Sequence, residues 1–201
     1  PQKDSFQRYQ FPIEVKYLNH DIGHITWIIQ PYAEDWLEKA NRIIDDQMRL
    51  TILERGNRLL PGDSRIHDRL LREYMAQEKW KNAVPMLRKK AAKKNDLETL
   101  NDLMICYGAL KDQDGVVQVL GEILKKRPDD LETRVRLAEI LEGRGEWGEA
   151  AGQYEIMIEH APPNERLPLY KNLGYLYTKA GEPEKAVSAY LSAANLDQKD
   201  P

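Results

Sequence analysis

His20 and His24, four residues apart with Asp21 between them, are the first positions at which this chain could do chemistry. On a helix both imidazoles would share one face and could hold zinc. No neighbouring glutamate completes a hydrolytic zinc motif, and the following "GHITWII" reads as strand as readily as helix, so no metal is expected. Cys106 is the single cysteine, which excludes an internal disulfide and any multi-cysteine zinc site. With no histidine near it in sequence to activate the thiol, its expected role is that of a small buried apolar residue. His67 and His160 fall on a packing position and near a helix end, and both read as structural. Gly143, Gly145, Gly148 and Gly152 sit within one helical hairpin, where they read as turn and helix-contact residues, and no glycine-rich phosphate loop follows a strand. No acid, base and nucleophile converge, so the chain is expected to be no enzyme and to use no cofactor.

A second cluster is cationic. In "KWKNAVPMLRKKAAKKND" at 79–96, Lys79, Lys81, Arg88, Lys89, Lys90, Lys93 and Lys94 crowd one helical stretch. Such a stretch can hold anionic lipid headgroups or phosphates. Trp80 alone is available for stacking on bases, which argues against a nucleic-acid partner. Cations toward a helix C-terminus also suit its negative end, so a solvated face is the favoured reading over a membrane-surface contact.

The elements that would position these residues follow from the rest of the chain. It has 201 residues, 41% hydrophobic and 31% charged, with a formal charge of −3, long enough for a substantial core and without a dominant electrostatic field. The densest apolar run, "IGHITWII" at 22–29, is far short of the ~18 residues a bilayer span needs. The first residue is Pro1 rather than Met, from which an upstream segment is expected. Localisation then stays open between the cytoplasm and a membrane tether carried by that segment.

The chain repeats itself. Leu137, Ala138, Leu141, Gly145, Ala150 and Tyr154 recur 36 residues later as Leu173, Gly174, Tyr177, Gly181, Ala186 and Tyr190. A step back of 34 meets Leu103, Met104, Tyr107, Val116 and Leu120, and one more of 33 meets Leu70, Leu71, Tyr74, Ala83 and Leu87. Spacings of three and four put the apolar residues on one helical face, and "KDQD", "GRGE" and "KAGE" separate two helices per unit. Ala138 and Gly174 allow close approach of the second helix, and Pro128 and Pro162 end that helix. A lone hairpin cannot bury such a two-sided surface, so the units must stack.

This pattern resembles the tetratricopeptide repeat family, best in "LYKNLGYLYTKAGEPEKAVSAYLSAANLD" at 169–197. The resemblance implies an all-α, right-handed superhelical solenoid of stacked hairpins with units at 64–96, 97–130, 131–166 and 167–200. His67, Lys90 and Pro85, the last read as entering the first turn of a second helix, make the first unit the least regular. Residues 30–63 align as a degenerate capping hairpin. Residues 1–29, with alternating Phe11, Ile13, Val15 and Tyr17, fit either a short β-hairpin or an extension packed on the first helices.

The family lines a concave groove with its first helices, which implies a non-enzymatic scaffold binding a peptide or helix of a partner protein. Carried over position by position, the groove holds Asn101, Ile105, Arg136, Glu139, Lys171, Asn172 and Tyr175. Pairing of Arg136 with Glu132, Glu139 or Asp102 is the plainer alternative. Family members that grip acidic chaperone tails use Lys and Asn at set positions. The first three units here offer Asp68, Arg72, Asp102, Glu132 and Arg136, which argues against that subclass. Arrays of this kind usually end in an extra polar-faced helix. Here the chain stops at Pro201, so either it continues or the open end meets a partner or a second copy. An assembly factor of a bacterial envelope complex, anchored upstream of Pro1, is the alternative function.

Overall fold

The computed structural model describes residues 9–17, 20–29 and 31–197. The chain divides into two units, Pro1–Met86 and Leu87–Pro201. In the first, β1 (Tyr9–Tyr17) and β2 (His20–Ile29) pair antiparallel, with Phe11 opposite Trp27 and Ile13 opposite Ile25, and with a register shift between Val15 and Lys16. His20 and His24 therefore lie on a strand, opposite Tyr17 and Glu14, and the helical spacing that would make them zinc ligands does not apply. After them come α1 (Ala33–Asn41), α2 (Asp46–Leu59), α3 (Ser64–Ala76) and the start of α4 (Trp80–Lys93). Trp36 is fully buried with Ala33 and Ile66. Gly56 admits it, because a Cβ there would lie 3.0 Å from Trp36 Cγ. Glu73 is buried between Arg49 and Arg69, each 3.0 Å away.

The second unit holds α5 (Leu97–Ala109), α6 (Gln113–Lys126), α7 (Leu131–Gly143), α8 (Trp147–His160), α9 (Arg166–Ala180) and α10 (Pro183–Asp197), each packed on the next. One apolar core runs through it, including Leu120, Leu137, Ala138, Leu141, Tyr154, Leu173, Leu176 and Ala186. The described part is thus an array of helical hairpins with a two-stranded hairpin before it.

Local chemistry recurs at the sequence repeat. Asp63, Asp96 and Asp130 each cap a first helix, accepting a hydrogen bond from the backbone N–H of Ile66 (3.3 Å), Thr99 (2.9 Å) and Thr133 (3.0 Å), which satisfies a donor the helix itself cannot. Each first helix then ends in a left-handed residue: Glu78 (φ 55), Lys111 (φ 56), Gly145 (φ 75) and Gly181 (φ 76). One residue on, the amides of Lys79, Asp112, Glu146 and Glu182 donate to the carbonyls of Tyr74, Tyr107, Leu141 and Tyr177 at 2.8–2.9 Å. This is the closing bond of a Schellman turn, and it sends each second helix back along the first.

Two expectations need correction. Pro85 is not in the first turn of α4 but inside the helix, on its exposed side, so it removes a donor from the Lys81 carbonyl where solvent can replace it. A Cβ on Gly143, Gly148 or Gly152 would meet nothing within 4 Å, whereas one on Gly174 would lie 2.7 Å from the Tyr190 ring. Close contact between helices is therefore at Gly56, Gly115 and Gly174 rather than at these three, and of the four glycines of the α7–α8 hairpin only Gly145 is required by backbone conformation.

Candidate functional site

First helices α5 and α7 start at these aspartate caps, α9 starts at Glu165 without a side-chain cap, and all three lead into the left-handed turns, with one side buried and the other in solvent. Asn101 and Ile105, one helical turn apart on α5, are exposed, as are Val135, Arg136 and Glu139 on α7 and Lys171, Asn172 and Tyr175 on α9. Ile105 at 54% and Tyr175 at 46% exposure are large apolar surfaces in water. Between α5 and α7 a cleft of about 240 Å³ opens, lined by Asn101, Met104, Arg127, Thr133 and Arg136 among others. Asn101 and Arg136 meet there. Ile105, Glu139 and the three α9 residues do not line it.

Arg136 is the notable side chain of that cleft. Its Nη1 lies 3.5 Å from Met104 Sδ on α5, and it forms no ion pair with Glu132, Glu139 or Asp102. A sulfur acceptor is weak, so the guanidinium keeps nearly all its donor capacity. On α9, Asn172 Nδ2 donates to Tyr154 Oη at 3.5 Å, and Lys179 Nζ sits 5.5 Å from the centre of the Tyr175 ring. Burial raises the Asp102 carboxyl above its ordinary range, opposed by Lys90 and reinforced by Glu98 and Asp96. Burial, with the Asp102 charge, also pushes the Cys106 thiol up to about 11, which keeps it protonated and unreactive at neutral pH.

Met104 and Arg127 escaped the sequence reading for different reasons. Met104 belongs to the apolar pair that marks the core face, and Arg127 lies in the loop before Pro128, outside any first-helix frame. Their signal was proximity to Asn101 and Arg136 once α5 and α7 are set side by side.

The cationic cluster splits into engaged and open members. Lys79 donates to Gln47 at 2.8 Å, Lys94 pairs with Asp96 at 3.3 Å, and Arg88 reaches Tyr107 (3.1 Å), Glu122 (2.8 Å) and Gln118 (2.9 Å). Lys81, Lys89 and Lys93 are exposed and without an ion pair among the described residues. No group of three His, Cys, Asp or Glu among the described residues could hold a metal, and none of the described helices is long and apolar enough to cross a membrane.

Residues 169–201 match the family model of the tetratricopeptide repeat. No curated protein matches the chain in sequence. Among solved structures it is similar to the MamA protein, at 17% identity over 82% of this chain and 90% of that one with a TM-score of 0.43. Residues 41 to the end of MamA from Desulfovibrio magneticus RS-1 match at 13% identity, 84% and 97% coverage and a TM-score of 0.42. YrrB, described as a TPR protein with an unusual peptide-binding site, matches at 18% identity, 84% and 88% coverage and 0.44. These likenesses are loose, and the repeat is read from the chain's own helices. Left-handed turns recur hairpin by hairpin, and within this helical repeat residues 169–201 match the tetratricopeptide repeat family.

Proposed function

We propose that this chain is a protein-binding scaffold, and that the exposed side of α5, α7 and α9 takes a peptide or helix of a partner. The observation that carries the reading is Arg136, a guanidinium held over a cleft by Met104 with no carboxylate on it. Arg and Tyr are the residue types that most often dominate interface energetics. Arg136, Asn101 and Asn172 supply polar recognition, while Ile105 and Tyr175 supply apolar contact area.

The test is affinity capture from the source lysate with wild type and with Arg136→Glu, Tyr175→Ala as baits. Both substituted side chains are exposed, so melting should be unchanged. A partner bound by wild type and weakened at least about tenfold, or 1.4 kcal/mol, in the variant supports the assignment. Equal affinity would sink it.

A second contact surface has its own support on α10. Val187 and Tyr190 are 58% and 44% exposed, although their counterparts 36 residues earlier, Ala151 and Tyr154, are buried in the core that α8 and α9 share. That surface suits an amphipathic helix, from a partner or a second copy, lying as α9 lies on α8. Leu191 on the same helix is also exposed, and sedimentation equilibrium of wild type against Leu191→Glu reads the second-copy case.

A further inference from the structure

The second helices of the Leu87–Pro201 unit are sorted by charge. Residues 87–93 of α4 contain Arg88, Lys89, Lys90 and Lys93 and no acidic residue, and α6 ends in Lys125 and Lys126. Helix α8 has no Lys or Arg and exposes Glu149, Glu155 and Glu159, and the one cation of α10, Lys185, pairs with Glu182. A formal charge of −3 for the whole chain conceals this separation.

The basic residues come together at one end of two adjacent helices. Helix α4 runs antiparallel to α5 across a short loop and α6 runs antiparallel to α5 in turn, so α4 and α6 point the same way. Arg88 fixes their level by reaching Glu122 and Gln118 on α6. At a rise of about 1.5 Å per residue, Lys93 lies roughly 7 Å beyond Arg88, and Lys126 about 6 Å beyond Glu122. Lys89, Lys93, Lys125 and Lys126 are all exposed and make no ion pair among the described residues. Lys90 and Lys94 face Asp102 and Asp96 instead.

We infer that this four-lysine patch docks the chain on an anionic lipid surface. Lysines are flexible point charges that suit diffuse, mobile headgroups, whereas forked phosphate recognition calls for arginine. At this patch Arg88 is held by Glu122, Gln118 and Tyr107, and Arg127 lines the α5–α7 cleft. Tyr107 is half-buried under the Arg88 guanidinium, 5.3 Å from its ring centre, which leaves the patch without an open aromatic for stacking bases. The acidic surface of α8 turns away a second contact of the same kind and gives the docked chain one orientation.

The purified chain is to be sedimented with phosphatidylcholine vesicles, with or without about one third phosphatidylserine. Binding to the anionic vesicles alone, weakening as salt rises, is expected. Each lysine near such a surface contributes roughly fivefold. The variant Lys89→Gln, Lys93→Gln, Lys125→Gln, Lys126→Gln should therefore bind at least about a hundredfold more weakly with an unchanged melting temperature. Arginine at the same four positions should keep the binding. No sedimentation with anionic vesicles, equal binding by the glutamine variant, or capture by polyuridylate in preference to vesicles would each overturn the inference.

Discussion

Tyr177→Phe removes a single oxygen at a joint between hairpins, and its effect can be worked from the geometry. The Tyr177 hydroxyl on α9 donates to Glu155 Oε1 on α8 at 2.5 Å. A hydrogen bond to a charged group contributes about 1.5–3 kcal/mol. Glu155 is exposed, so water recovers part of that and leaves no buried orphan, and the loss should be near 1 kcal/mol. For a chain of this size that lowers the melting temperature by about 2–4 °C. The pH dependence gives a second reading. Burial first, then the bond to Glu155, raises the Tyr177 hydroxyl above its ordinary value of 10.0. The folded state thus holds the phenol proton more tightly than the unfolded state does, and this contribution is complete below pH 10 and is lost as pH rises through the raised folded value. Melts of wild type, Tyr177→Phe, Glu155→Gln and the double variant at pH 7 and above pH 10 supply the coupling. Additive single losses at pH 7, or a wild-type advantage that does not shrink in alkali, would refute the reasoning.

Two further predictions concern the same unit. The Cys106 thiol, raised from 9.0 to about 11 by burial and the Asp102 charge, should react with a disulfide reagent at pH 8 at least about a hundredfold more slowly in the folded chain than in urea, and a fast folded-state reaction would show the site open. Lys111 holds φ 56 where the later hairpins have glycine. Lys111→Gly should raise stability by roughly 0.5–1 kcal/mol, strain relief outweighing the added freedom of the unfolded chain, and a drop in melting temperature would count against it.

Hairpin order was legible in the sequence because helices announce themselves by apolar spacing and their ends by aspartate, glycine and proline. Asp96, Gly145 and Pro128 are such signals. The left-handed turns at Glu78 and Lys111 were not, since neither residue type advertises that conformation and only the shared offset from Gly145 and Gly181 gives it away. Periodicity also could not say which surface cations were engaged. Arg88, Lys79 and Lys94 look like Lys89 and Lys93 in sequence, and differ only because Glu122, Gln47 and Asp96 come near in space. The cleft needed Met104 and Arg127, one disguised as core and the other in a loop. Residues at 1–8, 18–19, 30 and 198–201 lie outside the described structure.

The phenols at Tyr74, Tyr107 and Tyr177 each tie a first helix to the second helix before it, through Glu54, Arg88 and Glu155. At the equivalent place α7 has Leu141, and the cross-tie between α6 and α7 is instead an ion pair, Arg144 to Asp114 at 2.8 Å, with the aspartate almost fully in water. Ionic strength screens such a pair while leaving a phenol bond nearly untouched. The α6–α7 joint therefore carries a salt-sensitive cross-tie where its neighbours carry phenol bonds, and its cohesion rests on the apolar core that Leu120, Leu124, Leu137 and Leu141 share.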